Sequence, residues 1–243
     1  MFDQEILDAI KKHARQEYPK ECCGIITDEG YVPLENIHET PETNFKLPDR
    51  IFELLVEDKI KAIVHSHPDG PFGPSIYDQA QQAAFAMPWG LVVLGETWIE
   101  EPFFWGDGIP EQPLIGRDFR WGPTGTDCKG DCGALVKDYY RQFHGFTVED
   151  GARDKDWLER NPTFYTDTAL NAGFKYIDPH DMQVGDLCFF AVQSRGRPNH
   201  AGVIYEPGLV LHHIEGRLSR LESFLHWRGS CVGIMRPPLP RIK

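Results

Sequence analysis

The chain has 243 residues, 41% of them apolar and 12% aromatic, and a formal net charge of −12. This is enough apolar material for one large core or two of ordinary size, and it excludes disordered and collagen-like chains. So large an acid excess leaves no general attraction for phosphate backbones or anionic lipid, and nucleic acid is not an expected partner.

In chain order, residues 2–17 place Phe2, Ile6, Ala9, Ile10 and His13 at helical spacing, and Pro19 ends that helix. The same segment lacks the basic and apolar regions of a secretory signal, and no later run is long enough to cross a bilayer. The expectation is a chain made in a cytoplasm, without membrane insertion, that leaves only if carried. Residues 22–26 read as a buried strand, 28–30 as a turn, 49–61 as a helix, and 62–64 as a second buried strand running into His65. Turn formers fill residues 69–74. Ser75 opens a helix through about Ala86, and residues 91–94 form a third strand. This alternation predicts a layered α/β domain over residues 1–106. Gly and Pro accumulate from Gly106 to Pro113, and the domain boundary is placed there.

The second domain, residues 113–243, begins differently. Residues 132–143 read as a helix with Leu135, Val136, Tyr139, Tyr140 and Phe143 on its apolar face. Residues 186–190, 201–205 and 209–212 read as strands, the last after a Pro207-Gly208 turn, and residues 236–241 as an extended tail. A helix followed by strands predicts an α+β domain. The six cysteines are too few for a disulfide scaffold in a chain this long, so reduced thiols are expected.

His65 and His67 are two apart at the mouth of a predicted strand, so both imidazoles face the same way and can meet one ion. Asp78, eleven residues after His67 in the first turn of the Ser75 helix, can fold back as a third ligand. Two His and one carboxylate leave the fourth position of zinc open for a water, whose pKa the ion lowers. Glu21, at the entrance to the neighbouring strand, is the candidate general base. Singly these residues have plainer readings: a lone His-x-His is more often a satisfied core feature, and Ser75-x-x-Asp78 also describes a helix cap. Together, Glu21…His65-Ser66-His67-Pro68…Ser75-x-x-Asp78 resembles the signature of the JAMM (JAB/MPN) metallopeptidases, over about residues 1–105. The resemblance implies zinc held by His65, His67 and Asp78, and Glu21 as the base. It also implies Ser75 as a hydrogen-bond donor to the tetrahedral intermediate, and an isopeptide or peptide bond as the substrate.

Asp131-Cys132 starts the helix of the second domain, and a helix N-terminus is expected to lower a thiol's pKa. His200 opens a strand and His212 lies near the end of the next, so adjacent antiparallel strands can set the two rings side by side. A Cys at a helix start is by itself more often a small buried hydrophobe. Asp131-Cys132-Gly133-Ala134-Leu135-Val136, His200-Ala201-Gly202-Val203 and His212 resemble, in order, the motifs of NlpC-type papain-like cysteine peptidases, which cleave peptidoglycan stem peptides. Asp127-Cys128-Lys129-Gly130 begins similarly, but it has the charged Asp131 where Cys132 has Leu135, so Cys132 is the preferred nucleophile.

A JAMM-type domain followed by an NlpC-type domain is similar to the tail assembly proteins of lambda-like bacteriophages. Gly116-Arg117-x-Phe119, Asp138-Tyr139-Tyr140-Arg141 and Asn199 add to this resemblance. It implies a two-domain α+β hydrolase at the virion tail tip, with other tail-tip proteins as partners and peptidoglycan peptides as substrate. Two alternatives stay open: a structural assembly factor with one or both sites vestigial, and a zinc peptidase that processes another tail protein.

Overall fold

The computed structural model describes residues 2–49, 51–57, 59–148 and 151–238. Two units emerge: one runs to Pro110 and takes in Gly125–Asp127, and the other comprises Glu111–Thr124 and the chain from Cys128 on.

In the first unit, α1 (Gln4–Glu17) starts where the Asp3 carboxylate accepts the Ile6 N–H, two residues later than the apolar spacing suggests. The sheet contains β1 (Cys23–Thr27), β2 (Gly30–Leu34), β3 (Ala62–Pro68), β4 (Trp89–Leu94) and β5 (Phe103–Trp105), in the order β2-β1-β3-β4-β5. Only β3 and β4 pair in parallel; the helix α3 (Ile76–Phe85) supplies the crossover that parallel strands require. The two edge strands escape sequence reading. β2 carries Pro33, which an edge tolerates, and β5 is a three-residue aromatic run. The helix expected over residues 49–61 contracts to α2 (Ile51–Val56). The Lys59 N–H reaches back to the Leu54 carbonyl, and the Lys61 N–H already bonds Ile26 in the sheet. Sheet pairing thus overrides helix propensity there.

Strand alternation sorts the core. Cys22, Ile26, Ala62, Val64, Val92 and Leu94 pack with Ile10 and Ala14 of α1. Cys23, Ile25, Ile63, Leu91 and Val93 pack on the other face with Trp89, Trp105 and Ile51. Gly24 is needed between them, because a Cβ there would stand 2.5 Å from the Tyr31 hydroxyl.

In the second unit, β6 (Asp118–Phe119) pairs with β7 (Lys129–Gly130), and α4 (Cys132–His144) follows, capped by Asp131 and ended by Gly145 at φ 60°. Two short helices, α5 (Trp157–Arg160) and α6 (Phe164–Asn171), lead to β8 (Lys175–Tyr176), β9 (Leu187–Phe190), β10 (His200–Glu206) and β11 (Leu209–His212). β12 (Arg220–Ser223), α7 (Phe224–Trp227) and β13 (Cys231–Arg236) complete a six-stranded antiparallel sheet, ordered β12-β11-β10-β9-β13-β8. The helix face of α4 (Leu135, Val136, Tyr139, Tyr140) packs on Phe189, Val203 and Leu211. Arg117 is fully buried: its Nη1 donates to Asp138 of α4 at 2.7 Å, and its Nη2 donates to the Gln112 carbonyl. Of the tail expected over residues 236–241, Arg236 ends β13, and residues 239–241 lie outside those described. All six cysteines are free thiols. Among the described residues no helix is long and apolar enough to cross a membrane.

Candidate active sites

In the first unit, residues i and i+2 of β3 do face one way. The Ser66 hydroxyl turns to the opposite side and accepts the Cys22 N–H at 2.7 Å. His65 Nε2 and His67 Nε2 stand 3.2 Å apart. Asp78 completes the triangle, with Oδ1 3.3 Å from His65 Nε2 and Oδ2 3.4 Å from His67 Nε2. These three buried groups form a cluster able to hold a metal ion. The fit to zinc is close: tetrahedral donors at zinc–nitrogen distances of about 2.0–2.1 Å are about 3.3 Å from one another. The tautomer fits too. His67 Nδ1 lies 3.0 Å from the Pro71 carbonyl, which can only accept, so Nδ1 carries the proton and Nε2 presents its lone pair. The Phe45 ring stacks on His65 at 4.6 Å.

Electrostatics separate the roles. Burial alone would raise Asp78, but the two imidazoles outweigh it and hold the carboxyl well below the usual carboxylate range. Burial lowers His65, while for His67 the Asp78 contacts overcome burial and raise it. For Glu21 the balance is reversed. Burial pushes it up to about 7, with Asp78 adding to the rise and His67 opposing it. The antiparallel register that pairs Cys23 with His65 sets Glu21 across from His67. The Glu21 main chain is fixed by its N–H to Pro41 O at 2.7 Å and by Asn36 Nδ2 to its own carbonyl at 2.9 Å. Ser75 caps α3 as the plainer reading anticipates: its Oγ accepts the Asp78 N–H at 3.1 Å, and its N–H donates to Asp78 Oδ2 at 2.7 Å. The hydroxyl proton of Ser75 is left over for another acceptor. Glu21, His67, Ser75 and Asp78 line a cleft of about 650 Å³ together with Phe85 and Trp89.

In the second unit, Cys132 is the first residue of α4, whereas Cys128 sits in a bend at φ 57° outside any helix. His200 Nε2 and His212 Nδ1 meet at 3.0 Å, the side-by-side arrangement expected of their strands. The thiol departs from expectation. Burial pushes it up to about 11, and the neighbouring Asp131 carboxylate adds to the rise. The helix-start argument omitted both, since the N-cap that prepares the helix brings its own negative charge. The Cys132 Sγ lies 3.1 Å from the Tyr165 hydroxyl of α6. Among the described residues no hydrogen bond joins Cys132 to His200. Burial, helped by His212 and His213, pushes His200 down to about 3. The resting pair is therefore neutral thiol and neutral imidazole, which suits proton transfer at the moment of attack rather than a standing ion pair.

Sequence reading missed several groups here. Arg153 forks onto Asp131 with two bonds of 2.7 Å, and Gly133 is required beneath it, since a Cβ would lie 3.0 Å from the guanidinium. The Gly after Cys132 was the one available signal for that packing. Tyr165 and Glu222 reach the site from distant strands and helices and had none.

The family model described as prokaryotic homologs of the JAB domain matches residues 3–105, and that of the NlpC/P60 family matches residues 116–233. The chain is 36% identical over 242 residues to tail tip assembly protein K of Escherichia phage N15, spanning 96% of this chain and 94% of that protein. It is 31% identical over 179 residues to tail tip assembly protein K of Escherichia phage lambda, spanning 73% of this chain and 81% of that one. Among solved structures, a lipoprotein-like NLP/P60 family protein from Staphylococcus aureus is 18% identical with a TM-score of 0.37, covering 51% of this chain and 37% of that chain.

Proposed function

This chain belongs to the tail tip assembly protein K family, and on that footing we propose that it is a tail-tip hydrolase with two reaction centres. The first unit would be a zinc isopeptidase or peptidase. The second would be a cysteine endopeptidase that cuts peptidoglycan stem peptides during cell entry, alongside other tail-tip proteins at the bacterial wall. The carrying observation is the convergence of His65, His67 and Asp78 on one point beside the raised acid Glu21.

Zinc bound there would supply a water of lowered pKa and a polarised carbonyl. The chain's own groups do the rest. Glu21 would take up a proton at its carboxylate and deliver it to the leaving amine. The free Ser75 proton donates to the developing oxyanion. In the second unit, the ring nitrogen of His200 not bonded to His212 takes the Sγ proton as sulfur attacks the scissile carbonyl. The amine then leaves with that proton, and water releases the thioester.

Mass analysis of peptidoglycan digested by wild type, Cys132→Ala and His67→Ala tests this. Fragment release by wild type and its loss in Cys132→Ala are expected. Unchanged release by Cys132→Ala would sink the cysteine assignment. One observation favours the second reading, a structural assembly factor: the thiol is only 3% exposed and already bonded to Tyr165. Virions carrying Cys132→Ala separate the two. Normal tails with poor DNA entry support catalysis, and absent tails despite stable mutant protein support the structural role.

A further inference from the structure

The His200–His212 pair continues outward. His212 Nε2 is buried and makes no well-aligned hydrogen bond; the carboxylate oxygen beside it is Glu222 Oε2 on β12, 3.3 Å away in an ion-pair contact. Glu222 is itself held in place. Trp227 Nε1 donates to the same Oε2 at 2.7 Å, Arg220 pairs with Oε1, and Arg217 stands 4.0 Å from Oε1. The Trp227 ring packs edge-on against His212 at 4.5 Å and lies 5.5 Å from His200, closing the pair from solvent.

These contacts determine where the protons are. A carboxylate can only accept, so the His212 nitrogen facing it must be the N–H. His212 Nδ1 is then a lone pair, and at 3.0 Å it can only accept from His200 Nε2–H. His200 Nδ1 is left as that ring's basic nitrogen. Reversing the first step would set a lone pair against a carboxylate and make His200 Nε2, already engaged with His212, that ring's basic nitrogen. We propose that Glu222 is a positioning residue of the cysteine site. It fixes the His212 tautomer, and through it the His200 tautomer, and its charge steadies the imidazolium that forms when His200 takes the Cys132 proton. This rests on the cysteine-site reading above. It adds a carboxylate that touches neither substrate nor nucleophile.

The charges facing the relay come from several elements. His213 follows His212 and adds to the depression of His200. Arg217 and Arg220 oppose protonation of His212, and Glu222 favours it. Removing the Glu222 charge therefore leaves a net positive surrounding, and His200 becomes a weaker acceptor for the Cys132 proton as sulfur attacks at neutral pH.

The test is the pH dependence of iodoacetamide alkylation at Cys132 in the full chain, read by peptide mass mapping, which requires no peptidoglycan. Relative to wild type, Glu222→Gln and Glu222→Ala should slow alkylation at pH 7 at least about tenfold, a small share of what a carboxylate directly on a catalytic imidazole contributes. The difference should close as rising pH ionises the thiol unaided, and Glu222→Asp should recover part of the rate. In a His212→Ala background, Glu222→Gln should change nothing further. Gln keeps the side chain's volume, so it serves if the Ala variant fails to fold. A wild-type profile for Glu222→Gln, or an equal slowing without His212, would overturn the proposal. A profile unmoved by His200→Ala would overturn the cysteine-site reading itself, and the role of Glu222 with it. Absence of wall hydrolysis alone leaves the alkylation result standing.

Discussion

In the metal-free chain, Glu21→Gln should stabilise the first unit at pH 8 by about 3 kcal/mol and have almost no effect at pH 4. Folding moves the Glu21 ionisation from 4.5 to about 7 through burial, and little solvent reaches the group to screen it. A carboxyl raised in the folded state contributes its full share of stability below its unfolded pKa and loses it as pH climbs through the folded one. At about 1.4 kcal/mol per pH unit, that rise amounts to about 3 kcal/mol by pH 8. Gln has the same shape and no charge to bury, so it avoids the loss, and at pH 4 protonated Glu21 matches it. Hydrogen exchange of β1 and β3 peptides across a urea series, in the presence of chelator, reads this unit separately. Saturating zinc should shrink the gain, since a nearby cation favours the Glu21 anion. A gain of equal size at both pH values, or a loss at pH 8, would refute the buried-acid account of Glu21.

Three further outcomes are expected. Wild type purified without chelators should hold about one zinc per chain by elemental analysis, and Asp78→Asn less than half of that. Alkylation of Cys132 at pH 7 should be slower than that of an unhindered cysteine, because burial holds the thiol near 11. Tyr165→Phe should slow it further by removing a bond that favours the thiolate. Arg153→Met should destabilise the second unit by about 3–5 kcal/mol in chemical denaturation, since it strands the buried Asp131 charge. Asp131→Asn added to it should restore part of that loss.

What could be read from sequence was whatever local periodicity determines. His65 and His67 had to share a face because strands alternate, and β3 obliges. Asp131-Cys132 marked a helix start, and α4 begins there with Asp131 as its cap. The ionisation of Cys132 was not local. It depends first on burial, which the fold supplies in part by setting Tyr165 of α6, 33 residues on, 3.1 Å from the sulfur; only the Asp131 contribution is local. The same holds for Glu222, whose relation to His212 exists only once β11 and β12 pair His212 with Arg220. Edge strands such as β2 and β5 are defined by the neighbours they join, and their own residues carry little pattern. The return of Gly125–Asp127 to the first unit, where Gly125 bridges Trp105, has no local signature either.

Asp78 belongs to two structures at once. Its carboxylate faces both imidazoles and also accepts the N–H that ties off the first turn of α3, the crossover between β3 and β4. An ion held by that carboxylate would therefore fix in place the same oxygen that seals the helix entrance. Occupancy at the histidines then becomes audible in the backbone: the amides of Ser75, Asp78 and Gln79 should exchange more slowly when the ion is in place. The crossover would serve as a built-in gauge of loading, one that needs no substrate to be read.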